Sequence, residues 1–145
     1  MVDEESINKN NLASNQQMLQ QKYIDYQLLE EQLKKLEEQL NTISDNILEL
    51  KYIHNSIGEI SELEKDKTIL CPVSNGIFIK AKIIDSKVFY VNVGNNIVVK
   101  KNIEESKKLI DLQKQEMTNS KETLLDNIHN LNEKLVELEQ ELMNY

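Results

Sequence analysis

Residues 68–102 read TILCPVSNGIFIKAKIIDSKVFYVNVGNNIVVKKN, a block rich in β-branched residues set between two long stretches of heptad sequence. Turn residues punctuate it at Ser74-Asn75-Gly76, Asp85-Ser86-Lys87 and Gly94-Asn95-Asn96. These divide the block into four short strands, over 68–73, 77–84, 88–93 and 97–100, which pair as two hairpins. A body of about 35 residues cannot bury enough apolar surface to offset the entropy of ordering it. Its strands are also apolar on more than one face. Ile77, Ile79, Ala81 and Ile83 alternate with Phe78 and Ile84, while Phe89, Val91 and Val93 alternate with Val88 and Tyr90. Such sheets need cover or closure, and open edges recruit other strands. Hairpins from several chains are therefore expected to close a shared β-barrel, which makes oligomerisation obligatory. On the first hairpin the expected contact residues are Ile69, Cys71, Val73, Ile77, Phe78, Ile79 and Ile83. On the second they are Phe89, Val91, Val93, Ile97 and Val99.

Outward from the block, the flanks are heptad sequence. Before it, apolar residues recur every seven positions at Leu12, Leu19, Tyr26, Leu33, Leu40 and Ile47. A second series runs through Leu29, Leu36, Ile43, Leu50 and Ile57. After the block the pattern resumes at Ile103, Ile110, Met117, Leu124, Leu131, Leu138 and Tyr145, joined by Ile128, Leu135 and Leu142. An apolar repeat averaging 3.5 residues winds helices around each other. Hairpins return the chain near its starting point, so the two helices leave the block side by side and antiparallel. The expected fold is α+β: a long antiparallel coiled coil with two β-hairpins inserted between its helices and forming an oligomeric barrel.

The divisions follow. Residues 1–11 are expected to be a disordered polar tail, and 12–57 the first coiled-coil helix, starting between Asn11 and Ser14 with Ser14 and Gln17 as a capping box. Gly58 is read as its C-terminal stop. That helix spans roughly 65 Å at 1.5 Å per residue. Residues 58–102 hold a polar connector, with Ile60 and Leu63 as docking points, and the hairpins. Asn102, with Glu105 three positions on, makes a capping box that starts the second helix near Ile103, and it runs through 103–145. Lys107, Lys114 and Lys121 occupy seam positions where apolar residues should continue, and are expected to snorkel beside carboxylates of the first helix.

Composition narrows the function. Only 5% of the chain is aromatic, Trp is absent, three Gly and one Pro are present, and 29% is charged, which suits long helices. No run of about 18 apolar residues is present, so no membrane partner is expected. The acidic opening Met1-Val2-Asp3-Glu4-Glu5 does not read as a secretory signal, and cytoplasmic residence is expected. Charge is uneven: net −7 over 1–67, +4 over 68–102 and −5 over 103–145, with no Arg. This disfavours nucleic acid. The acidic helices read as solvated faces or as surfaces for basic partners.

Catalytic constellations are missing from the pattern, so neither enzyme activity nor a cofactor is expected. His54 and His129 fall near opposite ends of the paired helices and cannot share a metal. Asn75-Gly76 and Gly94-Asn95 are turn dipeptides and not a phosphate-cradling loop. Glu30/Glu31 and Glu37/Glu38 fall on outward heptad positions, and lone Cys71 reads as a small core thiol. Apolar side chains off the seam, Met18, Tyr23, Val136 and Met143, gather with seam residues where residues near 12–26 meet those near 131–145. Leu12, Met18, Leu19, Tyr23, Val136, Leu142, Met143 and Tyr145 make the candidate site, a soft surface suited to adaptable binding of apolar segments.

At the β block the sequence resembles the α-class subunits of the prefoldin family. The resemblance rests on Leu70-Cys71-Pro72-Val73-Ser74-Asn75-Gly76-Ile77-Phe78-Ile79-Lys80-Ala81 and on Val91-Asn92-Val93-Gly94-Asn95-Asn96-Ile97-Val98-Val99-Lys100-Lys101, running into Ile103-Glu104-Glu105-Ser106. Ser74 stands where that family often has Gly. Two hairpins mark the α class, and the style is archaeal. The resemblance implies a hexamer of two α and four β subunits that grips unfolded polypeptides at coiled-coil tips without ATP. It also implies transfer of those clients to a group II chaperonin. The competing expectations are a structural coiled-coil scaffold and a filament-forming relative without general client binding.

Overall fold

A computed structural model describes residues 4–145. The order of elements is helix α1 (Glu4–Ser61), strands β1 (Thr68–Ser74), β2 (Ile77–Lys82), β3 (Val88–Asn92) and β4 (Val98–Asn102), then helix α2 (Ile103–Met143). Two long helices with two antiparallel hairpins between them are the architecture that the heptads and turn residues called for. The chain divides into two compact units. A helical unit comprises residues up to Ser44 together with Ser120–Tyr145, and a hairpin unit comprises Asp45–Asn119.

Within the hairpin unit the hairpins form two separate two-stranded sheets, β1 with β2 and β3 with β4. Cys71 lies opposite Ile79 and Ile69 opposite Ala81, so these four share one face of the first sheet. Leu70, Pro72, Phe78 and Lys80 share the other, with an irregularity between Pro72 and Ser74 that leaves Val73 unpaired as a bulge. In the second sheet Phe89 faces Lys101 and Val91 faces Val99 on one side, with Tyr90 opposite Lys100 on the other. Its connection bends through three consecutive left-handed residues, Gly94, Asn95 and Asn96. Asparagine tolerates this region better than other side chains. Asn92 Oδ1 accepts a hydrogen bond from the Gly94 amide at 3.0 Å and holds the bend.

The core of this unit is helix against helix. Leu50, Ile57 and Ile110 are buried together, with Ile53, Phe89, Ile103 and Met117 packed against them. The capping box forms as expected: the Glu105 amide donates to Asn102 Oδ1 at 2.8 Å, and the Asn102 amide donates to Glu105 Oε2 at 3.2 Å. Ser106, fully buried, donates its hydroxyl to the Asn102 carbonyl at 2.7 Å.

Helix bounds differ from expectation at both ends of α1. Helix covers residues from Glu4 onward where a tail over 1–11 was expected, and residues 1–3 lie outside the described residues. No Gly or Pro interrupts 4–14, so the helix elongates past Ser14, and Glu5 in the first turn complements the helix dipole. At the other end Gly58 does not stop the helix, which continues to Ser61. The stop lies three residues on, where the Ser61 carbonyl accepts from Lys87 Nζ and from the Ser86 hydroxyl. A cation on the last carbonyl suits the negative end of the helix. Gly58 instead permits a close approach, because a Cβ there would stand 3.1 Å from Lys107 Nζ.

The three seam lysines are half-buried, and among the described residues none forms an ion pair with a carboxylate. The end of the Lys107 side chain lies against Gly58.

Candidate functional site

The helical unit is closed by side chains from both helices. Leu124 and Leu135 are buried, while Leu19, Tyr26, Leu29, Leu33, Leu36 and Leu40 of α1 and Ile128, Leu131, Leu138 and Leu142 of α2 are half-buried along the seam. The last turn of α2 is joined by a clasp to α1 at Lys22, about five turns from the start of that helix. Lys22 Nζ lies 2.9 Å from Glu141 Oε2 and 4.9 Å from the centroid of the Tyr145 ring. The Glu141 carboxylate raises the Lys22 pKa above the ordinary lysine value by hydrogen bonding and charge, and Tyr145 adds in the same direction. Nearby, the negative charge of Glu30 raises the Tyr26 phenol, with burial and Glu139 contributing.

The expected site residues all lie in this helical unit. Leu12, Met18, Tyr23, Val136, Met143 and Tyr145 are exposed, Met143 most of all at 77%. Leu19 and Leu142 are half-buried, because they belong to the seam itself. Ile7, Ile24, Leu28 and Leu125 are exposed in the same unit and were not singled out in the sequence. The signal that finds them is the one used for Met18 and Tyr23, an apolar residue off the heptad seam. On α2, Val136 sits in a shallow groove lined by His129, Asn132, Glu133 and Glu137. His129 Nε2 is 3.3 Å from Glu133 Oε1 on the next turn.

Charge separates the two units. The helical unit holds 14 Asp and Glu against 6 Lys, whereas the hairpin unit holds 11 against 11, so the formal charge of −8 belongs to the helical unit. This division differs from a partition by sequence blocks, because the lysines of the β block offset the acids flanking it.

The hairpin residues expected at a subunit interface divide by exposure. Val73, Ile77, Phe78, Ile79, Val93 and Ile97 are exposed, each about half or more. Ile69, Cys71, Ile83, Phe89, Val91 and Val99 are half-buried. Leu70, Ile84, Tyr90 and Val98 add further exposed apolar surface to the same strands and their connections. Exposed apolar surface concentrated on so small a body marks an interaction region.

His54 and His129 lie in different units; His54 Nε2 is 3.5 Å from Asp111 Oδ2. Among the described residues, no three or more His, Cys, Asp or Glu gather as a metal ion would require. No described helix is long and apolar enough to cross a membrane.

Comparison with known proteins adds independent findings. Residues 29–144 match the family model described as prefoldin subunit. The chain is similar to prefoldin subunit alpha of Thermofilum pendens, 26% identical over 118 residues that cover 81% of this chain and 92% of that one. Prefoldin subunit alpha of a Methanococcus maripaludis strain is 31% identical over 112 residues, covering 76% and 74%. Among solved structures, a cryo-EM structure of filamentous PFD from Methanocaldococcus jannaschii has a similar fold, with a TM-score of 0.71 at 21% identity. The match covers 84% of this chain and 98% of that one.

Proposed function

The chain belongs to the prefoldin family, and on that premise we propose that it is an α-class subunit of an ATP-independent holdase. It binds unfolded polypeptides at the clasped end of the helical unit and passes them to a group II chaperonin. Two copies join four β-class subunits in a cytoplasmic hexamer, with the hairpins contributed to a common barrel. The chain is not an enzyme, and nucleic acid is not a partner.

One observation carries the client-binding reading. Exposed Met18, Tyr23, Val136, Met143 and Tyr145 all belong to the helical unit and lie within a few residues, along the chain, of Lys22 or Glu141, the pair that joins its two helices. Flexible thioethers and amphipathic rings adapt to many apolar segments without selecting one. Each such contact is weak, and several copies acting on one client supply avidity. The exposed apolar strands supply the reason for assembly, since two-stranded sheets do not stand alone in water.

The test is removal of residues 1–20 and 136–145 together. The truncated chain is expected to assemble as before and to lose suppression of aggregation of a denatured client, read by light scattering. Undiminished protection would exclude this end of the molecule as the binding site.

A second reading is favoured by the filamentous relative. In it, the chain self-assembles through its hairpins into open polymers without β partners. Weighing the purified chain alone and after mixing with a β-class subunit separates the two. A defined hexamer mass on mixing supports the first reading, and growth of the chain alone into long polymers supports the second.

A further inference from the structure

We infer that the client class held by this chain is unfolded segments in which apolar residues alternate with lysine or arginine. The inference rests on the binding reading above and deepens it.

The exposed apolar side chains at the clasped end belong to a unit whose carboxylates outnumber its lysines by 14 to 6. At the clasp itself, Lys22 is not available to a client's acid, because it is held by Glu141 at 2.9 Å. On α2 the contact is local. Val136 opens into a groove whose charged walls are Glu133 and Glu137, with His129 already turned toward Glu133. An apolar client residue seated on Val136 therefore brings its neighbours within reach of two carboxylates and no lysine of that groove.

Apolar contact gives this surface no preference among unfolded chains. Charge supplies one, through faster encounter and a lower cost of approach for cationic segments, and through repulsion of acidic ones. Because these carboxylates are exposed, the preference is screened by salt, whereas apolar contact is not weakened in the same way.

Two labelled, extended peptides test this, with identical apolar residues and either lysine or glutamate between them. Binding to the full chain, in the assembly it forms, is followed by fluorescence anisotropy at low and high salt. The lysine peptide is expected to bind roughly tenfold more tightly near 0.05 M salt, with the ratio falling to about twofold near 0.5 M. Replacing Glu133→Gln and Glu137→Gln together should narrow the low-salt ratio, with circular dichroism checking that the helices persist. Equal affinities, or a glutamate peptide that binds better, overturn the charge preference and leave the holdase reading standing. If neither peptide binds, the holdase reading falls and the client class falls with it.

Discussion

Lys22 ties three observations together: an ion pair to Glu141, a ring contact to Tyr145 and a pKa raised above the usual lysine value. An unfolded lysine titrates near 10.4, and this one holds its proton longer. A raised folded pKa means that the contribution is fully present below the unfolded value and is lost as pH climbs through the folded one. The Tyr26 phenol, raised mainly by Glu30, acts with the same sign, because its neutral form is the one the fold favours. As pH climbs past the ordinary lysine and tyrosine values, near 10, the helical unit should therefore lose stability. Thermal melts followed by circular dichroism should show the midpoint dropping over that rise, and less steeply in a Lys22→Met, Tyr26→Phe variant. Gly58 gives a second prediction. A methyl group there meets only the far end of Lys107, which can swing away, while glycine inside a helix costs about 1 kcal/mol relative to alanine. Gly58→Ala should therefore stabilise the chain by roughly 0.5–1 kcal/mol in urea unfolding. Little change, or a loss, would mean that Lys107 cannot move.

Among the elements, α2 begins where the sequence says it does because its start is written in two residues. Asn102 and Glu105 satisfy each other's amides across one turn. Asn102→Ala should cost about 1 kcal/mol in chemical denaturation, and Asn102→Asp should retain most of it. The start of α1 carries no comparable signal. Polar residues 4–11 read as a tail because nothing apolar recurs there on the seam, yet helix formation needs only the absence of breakers and a helix to extend. Gly58 misled for a related reason: glycine marks a helix end or a close approach, and the sequence does not reveal that Lys107 crosses it. The strands were legible to within two residues, since Gly76 and Gly94 with its two asparagines fix the bends. In the candidate site, Met18, Tyr23, Val136 and Met143 stand out from sequence because they fall off the heptad. Leu19 and Leu142 fall on it and are drawn into the seam. The Lys22 clasp depends on which residues of α1 and α2 lie side by side at the last turn, a register that no single heptad series specifies.

At the scale of the whole molecule, the division of labour is electrostatic as well as structural. One unit carries the net charge and the other is balanced, with its apolar surface concentrated on the hairpins. Among the described residues, the only buried apolar side chains are Leu50, Ile57, Ile110, Leu124 and Leu135, all of them on helices. The hairpins thus have no buried apolar core of their own, and their stability should come with association. The apparent melting temperature is expected to rise with protein concentration, as for any fold linked to assembly. Ile79→Asp should abolish that dependence together with the assembled species, because a carboxylate placed in a buried interface without a partner costs several kcal/mol. Sedimentation of the variant and the parent side by side checks this. A parent whose melting point is independent of dilution would argue that one copy is self-sufficient.

Each hairpin is a two-stranded sheet, so both of its outer strands keep a row of unsatisfied backbone donors and acceptors. A cell making this chain in surplus accumulates molecules with four adhesive borders and nothing to seal them. Sealing of those borders on assembly is then a requirement set by backbone geometry.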